Sequence, residues 1–270
     1  MPGQDISSKK PIGTREWYDF VGQLGEVLTF IHQGGQEATD RLLEMCQLDP
    51  GSQVLDVGCG VGNTACIIAE RYDAYVTGID ISEVMIEKAK DRARRLGLTD
   101  QVTFRTADVF ELPFEDGSFD VIIIESVLVP LPGDVKAAFK EMVRVLRPGG
   151  RIAANEATID PSAPPELISL VERHPAFYRH FTPETLRRLF EESGLQVLHM
   201  IEEWGEETPK PFQGVGFRGV VSFMLRDYPK LVSSLLRDAR LREARKIDEQ
   251  VTRLLKQHAG YALIIGQKPE

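Results

Sequence analysis

Between residues 53 and 156 short apolar runs alternate with helix-like stretches, and this rhythm constrains the fold more than any other feature of the chain. Strands read at "QVLDV" (53–57), "AYVTGID" (74–80), "QVTFRTA" (101–107), "FDVIIIE" (119–125) and "GRIAANE" (150–156). Helices read between them. Ser82 is placed to cap "EVMIEKAKDRARRL", whose Met85, Ile86, Ala89 and Ala93 share a face, and Gly97 stands where a helix C-terminal glycine belongs. The stretch "DVKAAFKEMVRVL" is stopped by "RPGG", which cannot continue a helix and turns the chain into the next strand. Strict alternation implies an α/β fold: a doubly wound, mostly parallel sheet with right-handed crossovers and helices on both faces.

After residue 156 the rhythm breaks. "ATIDPSAPPELISLVERHPAFYRH" is proline-broken and aromatic, and "TPETLRRLFEESG" restarts a helix with Thr182 as cap and Pro183 at its first position. "LQVLHMIEE" and "YALIIGQKP" read as two further strands, which brings the sheet to seven. Residues 205–258 between them read as mostly helical and too long for a plain connection, so they are expected to be a lid or a subunit contact, with a homodimer as one outcome. The expected organisation is an N-terminal cover over 1–36 and one domain over 37–270, with helical insertions at about 157–181 and 205–258.

A chain of 270 residues with 42% apolar content can bury a full core. Its net charge of −9 argues against a large nucleic-acid surface, which needs a basic stripe. No stretch reads as a secretory signal or a membrane span, so the expected setting is cytoplasmic, with no membrane partner. Cys46, Cys59 and Cys66 cannot all pair and show no metal-ligand spacing, so free thiols are expected and no metal.

In a doubly wound sheet, ligands bind beyond the carboxyl ends of the strands, which makes the loop after the first strand the first place to look. It reads "VLDVGCGVGNTA", with Asp56, Gly58, Gly60 and Gly62. The spacing D-x-G-x-G-x-G is not the G-x-G-x-x-G of dinucleotide binders. Asp80 closes the second strand, where an acidic side chain can accept both hydroxyls of a ribose; the plainer reading is a helix cap, a role Ser82 already fills. Asp108 and Val109 follow the third strand, where a carboxylate and a backbone N–H suit an adenine edge.

Together "VLDVGCGVGNTA", "GIDIS", "TADVFELPFEDGSFDVII" and "RVLRPGGRI" resemble the successive motifs of class I S-adenosylmethionine-dependent methyltransferases, in the small-molecule group that includes quinone-type and arsenite-type enzymes. The resemblance runs over about residues 37–156, and the last two strands are similar to the family's closing antiparallel pair. It implies a Rossmann-like methyltransferase fold, S-adenosyl-L-methionine as cofactor and a small-molecule methyl acceptor. By the same resemblance Gly58, Gly60 and Gly62 would lie against the cofactor's amino acid and ribose, and Asp56 would orient the loop and meet the ammonium end. Asp80 with the following Ile81 would hold the ribose, and Asp108 with Val109 the adenine.

The acceptor is expected above the fourth and fifth strand ends, where Glu125, Asn155 and Glu156 stand. Glu125 reads either as a base or as a cofactor contact, and Glu156 either as a catalytic carboxylate or as a cap; both carboxylates are placed where they could face the pocket. His32, in "IHQGGQEATDRLL", reads as a pocket base or as a loop residue before the glycine pair that opens a helix. Trp17 and Tyr18 anchor the N-terminal segment or close over the cofactor. Phe177, Tyr178 and Phe181 line an apolar pocket or pack on the sheet. The Asn/Asp-Pro-Pro-aromatic pattern of nucleobase-amine methylation is absent after the fourth strand, and so are the late paired cysteines expected of arsenite enzymes.

Overall fold

The structure, a computed structural model, describes residues 14–22, 32–173, 178–204 and 258–270, with isolated positions 233, 237 and 238 between them. The central strands are β1 (Gln53–Val57), β2 (Tyr75–Asp80), β3 (Val102–Thr106), β4 (Phe119–Glu125) and β5 (Leu146–Ile159), followed by β6 (Gln196–Trp204) and β7 (Ala259–Gln267). They form one seven-stranded sheet in the order β3-β2-β1-β4-β5-β7-β6. The first five run parallel, and β7 lies antiparallel to both β5 and β6. The strand order reverses between β1 and β4, which sets a crevice at their carboxyl ends.

Helices cover both faces. On one lie α2 (Gly35–Cys46), α3 (Asn63–Tyr72) and α4 (Glu83–Leu96), packed through Leu42, Ile68 and Ile86 on Val54, Ile123 and Ala153 of the sheet. On the other lie α5 (Val135–Val145) and α7 (Pro183–Glu192), where Phe139 meets Phe190 edge-on over Ile122, Ile124 and Ile152. Two short helices complete the described chain: α1 (Thr14–Gly22) and α6 (Pro165–Arg173). Strands buried on both faces read as near-continuous apolar runs, as "VIIIE" does.

Local signals behave as read. The Ser82 hydroxyl accepts the Met85 N–H and Gly97 ends α4 in the left-handed region, while Met85, Ile86, Ala89 and Ala93 are buried. Thr182 caps α7 with Pro183 in its first turn. The three cysteines are free and buried. One boundary differs: "RPGG" does not separate helix from strand but sits inside β5, which begins at Leu146 opposite Phe119 and shifts register before Arg151 pairs Val121. The register shift takes residues 147–150 out of the β4 ladder, so no ladder N–H is asked of Pro148. β5 also runs on to Ile159, so the first insertion begins later than residue 157. Phe181 is core beneath α7, Tyr178 is exposed, and Phe177 and His174 lie outside the described residues, as does nearly all of 205–258.

Candidate cofactor and acceptor site

The glycine loop leaves β1 at Gly58, and Gly58, Gly60 and Gly62 all adopt positive φ (70°, 51° and 75°). They do so for different reasons. A Cβ on Gly62 would lie 2.6 Å from the Phe104 ring and 2.8 Å from Ala89, and one on Gly58 would lie 2.5 Å from a Val127 methyl. A Cβ on Gly60 would meet nothing within 4 Å. Gly58 and Gly62 are therefore required by the protein's own packing, whereas Gly60 bares backbone to open space, as a loop that cradles a ligand must.

Asp80 holds that backbone in place. Its carboxylate accepts the Gly60 N–H (3.0 Å) and the Ser82 N–H (2.9 Å). The Ser82 hydroxyl in turn donates to Asp19 of α1 (2.5 Å). At the other end of α1 the Thr14 hydroxyl donates to the Pro130 carbonyl after β4 (3.3 Å). Since β2 and β4 flank β1, α1 crosses over the tip of β1 and roofs the glycine loop, with Trp17 and Phe20 turned inward and buried. Trp17 is buried and packs on Phe20 of the same helix, with ring centroids 5.8 Å apart.

Asp56, Glu125 and Asn155 fall on the α2/α3 face at the tips of three neighbouring strands, sharing the alternation of Val54, Ile123 and Ala153. Glu125 accepts hydroxyl hydrogen bonds from Thr39 of α2 (2.9 Å) and Thr64 of α3 (2.7 Å), and His32 Nε2 lies 3.5 Å from it. Asn155 Nδ2 contacts His32 Nδ1 at 3.0 Å, and His32 Nε2 contacts the Thr39 hydroxyl at 3.1 Å. Since the Thr39 hydroxyl donates to Glu125, it accepts from His32 Nε2–H, while Nδ1 faces both the Asn155 amide and the Gln33 carbonyl (3.1 Å). Two buried oxygens of this group, Asp56 Oδ2 and Asn155 Oδ1, have no hydrogen-bond partner among the described residues, and of the two only Asp56 can carry a charge. Burial, and then the charges of Glu125 and Asp80, push its carboxyl well above the usual range.

Glu156 does not join this group. Glu125 pairs Asn155 across the ladder, so Glu156, one residue on, points to the opposite, α5/α7 face. The expectation that both carboxylates face one pocket is corrected by that register. Glu156 is fully buried and accepts the N–H groups of Val127 (2.8 Å) and Leu128 (2.9 Å) through Oε1, while Oε2 has no partner. It clamps the loop after β4, and Arg179 tightens the same loop by donating to the carbonyls of Leu128 (3.0 Å) and Gly133 (2.6 Å). At the far side of the cleft Asp108 is exposed and accepts the Phe110 N–H (3.0 Å), beside a buried Val109 and a half-buried Ile81. Thr39, Thr64 and Arg179 were not singled out by sequence. Thr64, in the first turn after the glycine loop, carried a usable signal; the other two reach the site only through packing.

The comparisons agree with this geometry. The family described as "Methyltransferase domain" matches residues 48–211. The chain belongs to that family, that of class I S-adenosylmethionine-dependent methyltransferases. It is 44% identical over 146 residues to the 27-O-demethylrifamycin SV methyltransferase of Amycolatopsis mediterranei (strain S699), a match covering 54% of this chain and 51% of that one. The chain spans less than two thirds of the length of the curated relatives it matches. Among solved structures, the [4+2]-cyclase SpnF superposes with a TM-score of 0.73 at 25% identity, covering 96% of this chain and 97% of that one. Phosphoethanolamine N-methyltransferase 2 of Haemonchus contortus, in complex with phosphomonomethylethanolamine and S-adenosylhomocysteine, superposes with a TM-score of 0.68 at 18% identity, covering 96% and 61%. Among the described residues no helix is long and apolar enough to cross a membrane, and no group of side chains is arranged to hold a metal.

Two outcomes are expected. Gly62→Ala should lower stability by about 1–3 kcal/mol through overpacking and strain, whereas Gly60→Ala should cost about 1–2 kcal/mol of left-handed strain and weaken S-adenosylhomocysteine binding far more; denaturant melts and calorimetry check both. Burial pushes Glu156 up to about 7 and Asp80 up to about 6. Both folded values exceed the unfolded ones, so the folded chain binds protons more tightly, and the contribution present below about pH 4 is lost as pH rises through 6 and 7. The unligated protein should therefore melt higher near pH 5 than near pH 7.5 from these groups, with Glu156→Gln flattening the slope; thermal melts across that range test it.

Proposed function

We propose that this chain transfers the methyl group of S-adenosylmethionine to a hydroxyl of a small molecule. The observation that carries the reading is the orphaned Asp56 Oδ2, buried among carboxylates at the switch point beneath an open glycine. A buried carboxylate with one oxygen unmet favours a cation, and the cofactor carries both an ammonium and a sulfonium. The donor set fits the rest of the group. Asp56 would meet the ammonium end, and the bared backbone at Gly60 would lie along the amino acid and ribose. Asp80 with Ile81 would take the ribose, and Asp108 with Val109 the adenine edge. When bound, S-adenosylmethionine would supply a methyl carbon already activated on a sulfonium: the bond to the acceptor oxygen would form as the C–S bond broke, S-adenosylhomocysteine would be the leaving group, and the hydroxyl proton would pass to solvent.

The protein's own task is then orientation and exclusion of water. Glu125, with Thr39, Thr64 and His32, acts as a fixed anion that strengthens the field at the cofactor's cationic end. His32 is 6% exposed with both ring nitrogens engaged, which favours this supporting role over that of a base meeting the acceptor. Glu156 shapes the acceptor-side loop from below. The hydroxyl acceptor is favoured by the 44% identity to an enzyme whose name specifies O-methylation. A net charge of −9 favours a small molecule over a nucleic acid, and three buried free cysteines suit a reducing, cytoplasmic setting. We place a homodimer contact in the insertion at 205–258, nearly all of which lies outside the described residues.

The test is direct. The purified protein is incubated with S-adenosylmethionine and a panel including 27-O-demethylrifamycin SV, simple phenols and phosphoethanolamine. S-adenosylhomocysteine release with a methylated hydroxyl product is the expected result. Methylation of the amine alone would transfer the assignment to N-methylation, and tight cofactor binding without any transfer would make the chain a binding module or, like SpnF, a catalyst of another reaction. Asp80→Ala should weaken S-adenosylhomocysteine binding by roughly 1.5–3 kcal/mol, about tenfold to a hundredfold, through loss of a charged hydrogen-bond acceptor; unchanged affinity by calorimetry would remove Asp80 from the site.

A further inference from the structure

Among the described residues three non-glycine positions have a left-handed backbone: Gln47, Asp73 and Ser126. Gln47 and Asp73 are the C-caps of α2 and α3, where that conformation ends a helix and is readily explained. Ser126, at φ 56°, is not a helix cap. It directly follows β4, at the tip of the strand that borders the switch point. Serine has no local need for this conformation, and a glycine would adopt it without the Cβ penalty.

The surroundings enforce it from both sides. The Ser126 N–H donates to the Asn155 carbonyl (2.8 Å) at the tip of β5. The next N–H, that of Val127, is held by Glu156 (2.8 Å), and the Val127 side chain sits against Gly58, filling the space a Cβ there would need. Ser126 is thus fixed between the glycine loop, which bounds the cofactor, and the tip of β5, which bounds the acceptor. It is half-buried, and among the described residues its hydroxyl has no hydrogen-bond partner. A strained backbone held by three neighbours, carrying a free hydroxyl at the meeting point of two binding regions, marks a functional position.

We propose that Ser126 is the polar contact at the boundary between cofactor and acceptor, its hydroxyl oxygen meeting the polarised methyl group carried on the cofactor's sulfonium. The inference rests on the methyl-transfer reading above. A sulfonium polarises the C–H bonds of its methyl, and a neutral oxygen there favours the charged, methylated cofactor over its neutral thioether product. The same contact restrains the methyl along the line of approach. Glu156 is then a positioning residue, because it acts on the methyl only through the Val127 amide and the backbone of Ser126.

The test needs no known acceptor. Wild type, Ser126→Ala and Ser126→Gly are compared by thermal melting and by calorimetric titration with S-adenosylmethionine and S-adenosylhomocysteine separately. Ser126→Gly should melt about 2–4 °C higher for each kcal/mol of strain relieved, and Ser126→Ala should not. Both variants should keep the affinity for S-adenosylhomocysteine but lose affinity for S-adenosylmethionine by about two- to fivefold, the range of a weak C–H···O contact. A merely structural strain would give the melting shift with both affinities unchanged, and that result overturns the proposal, as does an equal loss for both ligands. Failure of wild type to bind S-adenosylhomocysteine at all would instead overturn the cofactor reading on which it rests.

Discussion

Acidic side chains gathered where the strand order reverses, out of reach of water, are the constraint around which this molecule is built. Asp56, Asp80 and Glu125 lie at the tips of β1, β2 and β4, and among the described residues none forms an ion pair with lysine or arginine there. Burying such charges is unfavourable unless backbone N–H groups, hydroxyls or a cation compensate. Asp80 is compensated by the loop it holds, and Glu125 by two threonines. Asp56 accepts an N–H from Ala65 but leaves one oxygen unmet. The strand tips therefore form a local concentration of buried acidic groups, which a bound cation would relieve.

The rest of the fold serves that arrangement. Parallel strands bring every carboxyl end to one edge of the sheet, and helices on both faces keep the sheet dry. The register between β4 and β5 then divides the acidic residues. Asn155 faces the α2/α3 side with Glu125, while Glu156 faces the α5/α7 side and holds the loop after β4. α1 adds a roof from Ser82 to Pro130. A cofactor bound beneath it would be covered by groups already tied to the sheet.

Much of this was legible in the sequence, for physical reasons that differ from one element to another. Helix α4 could be read residue by residue, because its cap, apolar face and terminal glycine are local signals. The motif order at successive strand ends located the cleft, since in a doubly wound sheet chain order and position in space are linked. What could not be read depends on register and contacts between distant segments. The facing of Glu156 turns on a one-residue offset across a ladder, and a single step reverses which face a side chain meets. The strand start at Leu146 was hidden because "RPGG" looks like a stop when it is a bulge. Thr39 joins Glu125 across 86 positions of sequence, and no local pattern announces such a contact. The same holds for Asp80: its place after the second strand suggested a ribose, and only the structure shows that it also fastens Gly60.

The account stands on Asp56 lacking a partner that the cofactor supplies. A crystal structure of the complex with S-adenosylhomocysteine tests this most directly. The account requires the ligand's amino end to reach the unpaired oxygen of Asp56, with its ribose beside Asp80 and Ile81 and its adenine beside Asp108 and Val109. A nucleoside bound away from the tips of β1–β3, or an Asp56 oxygen still unpaired in the complex, would contradict it.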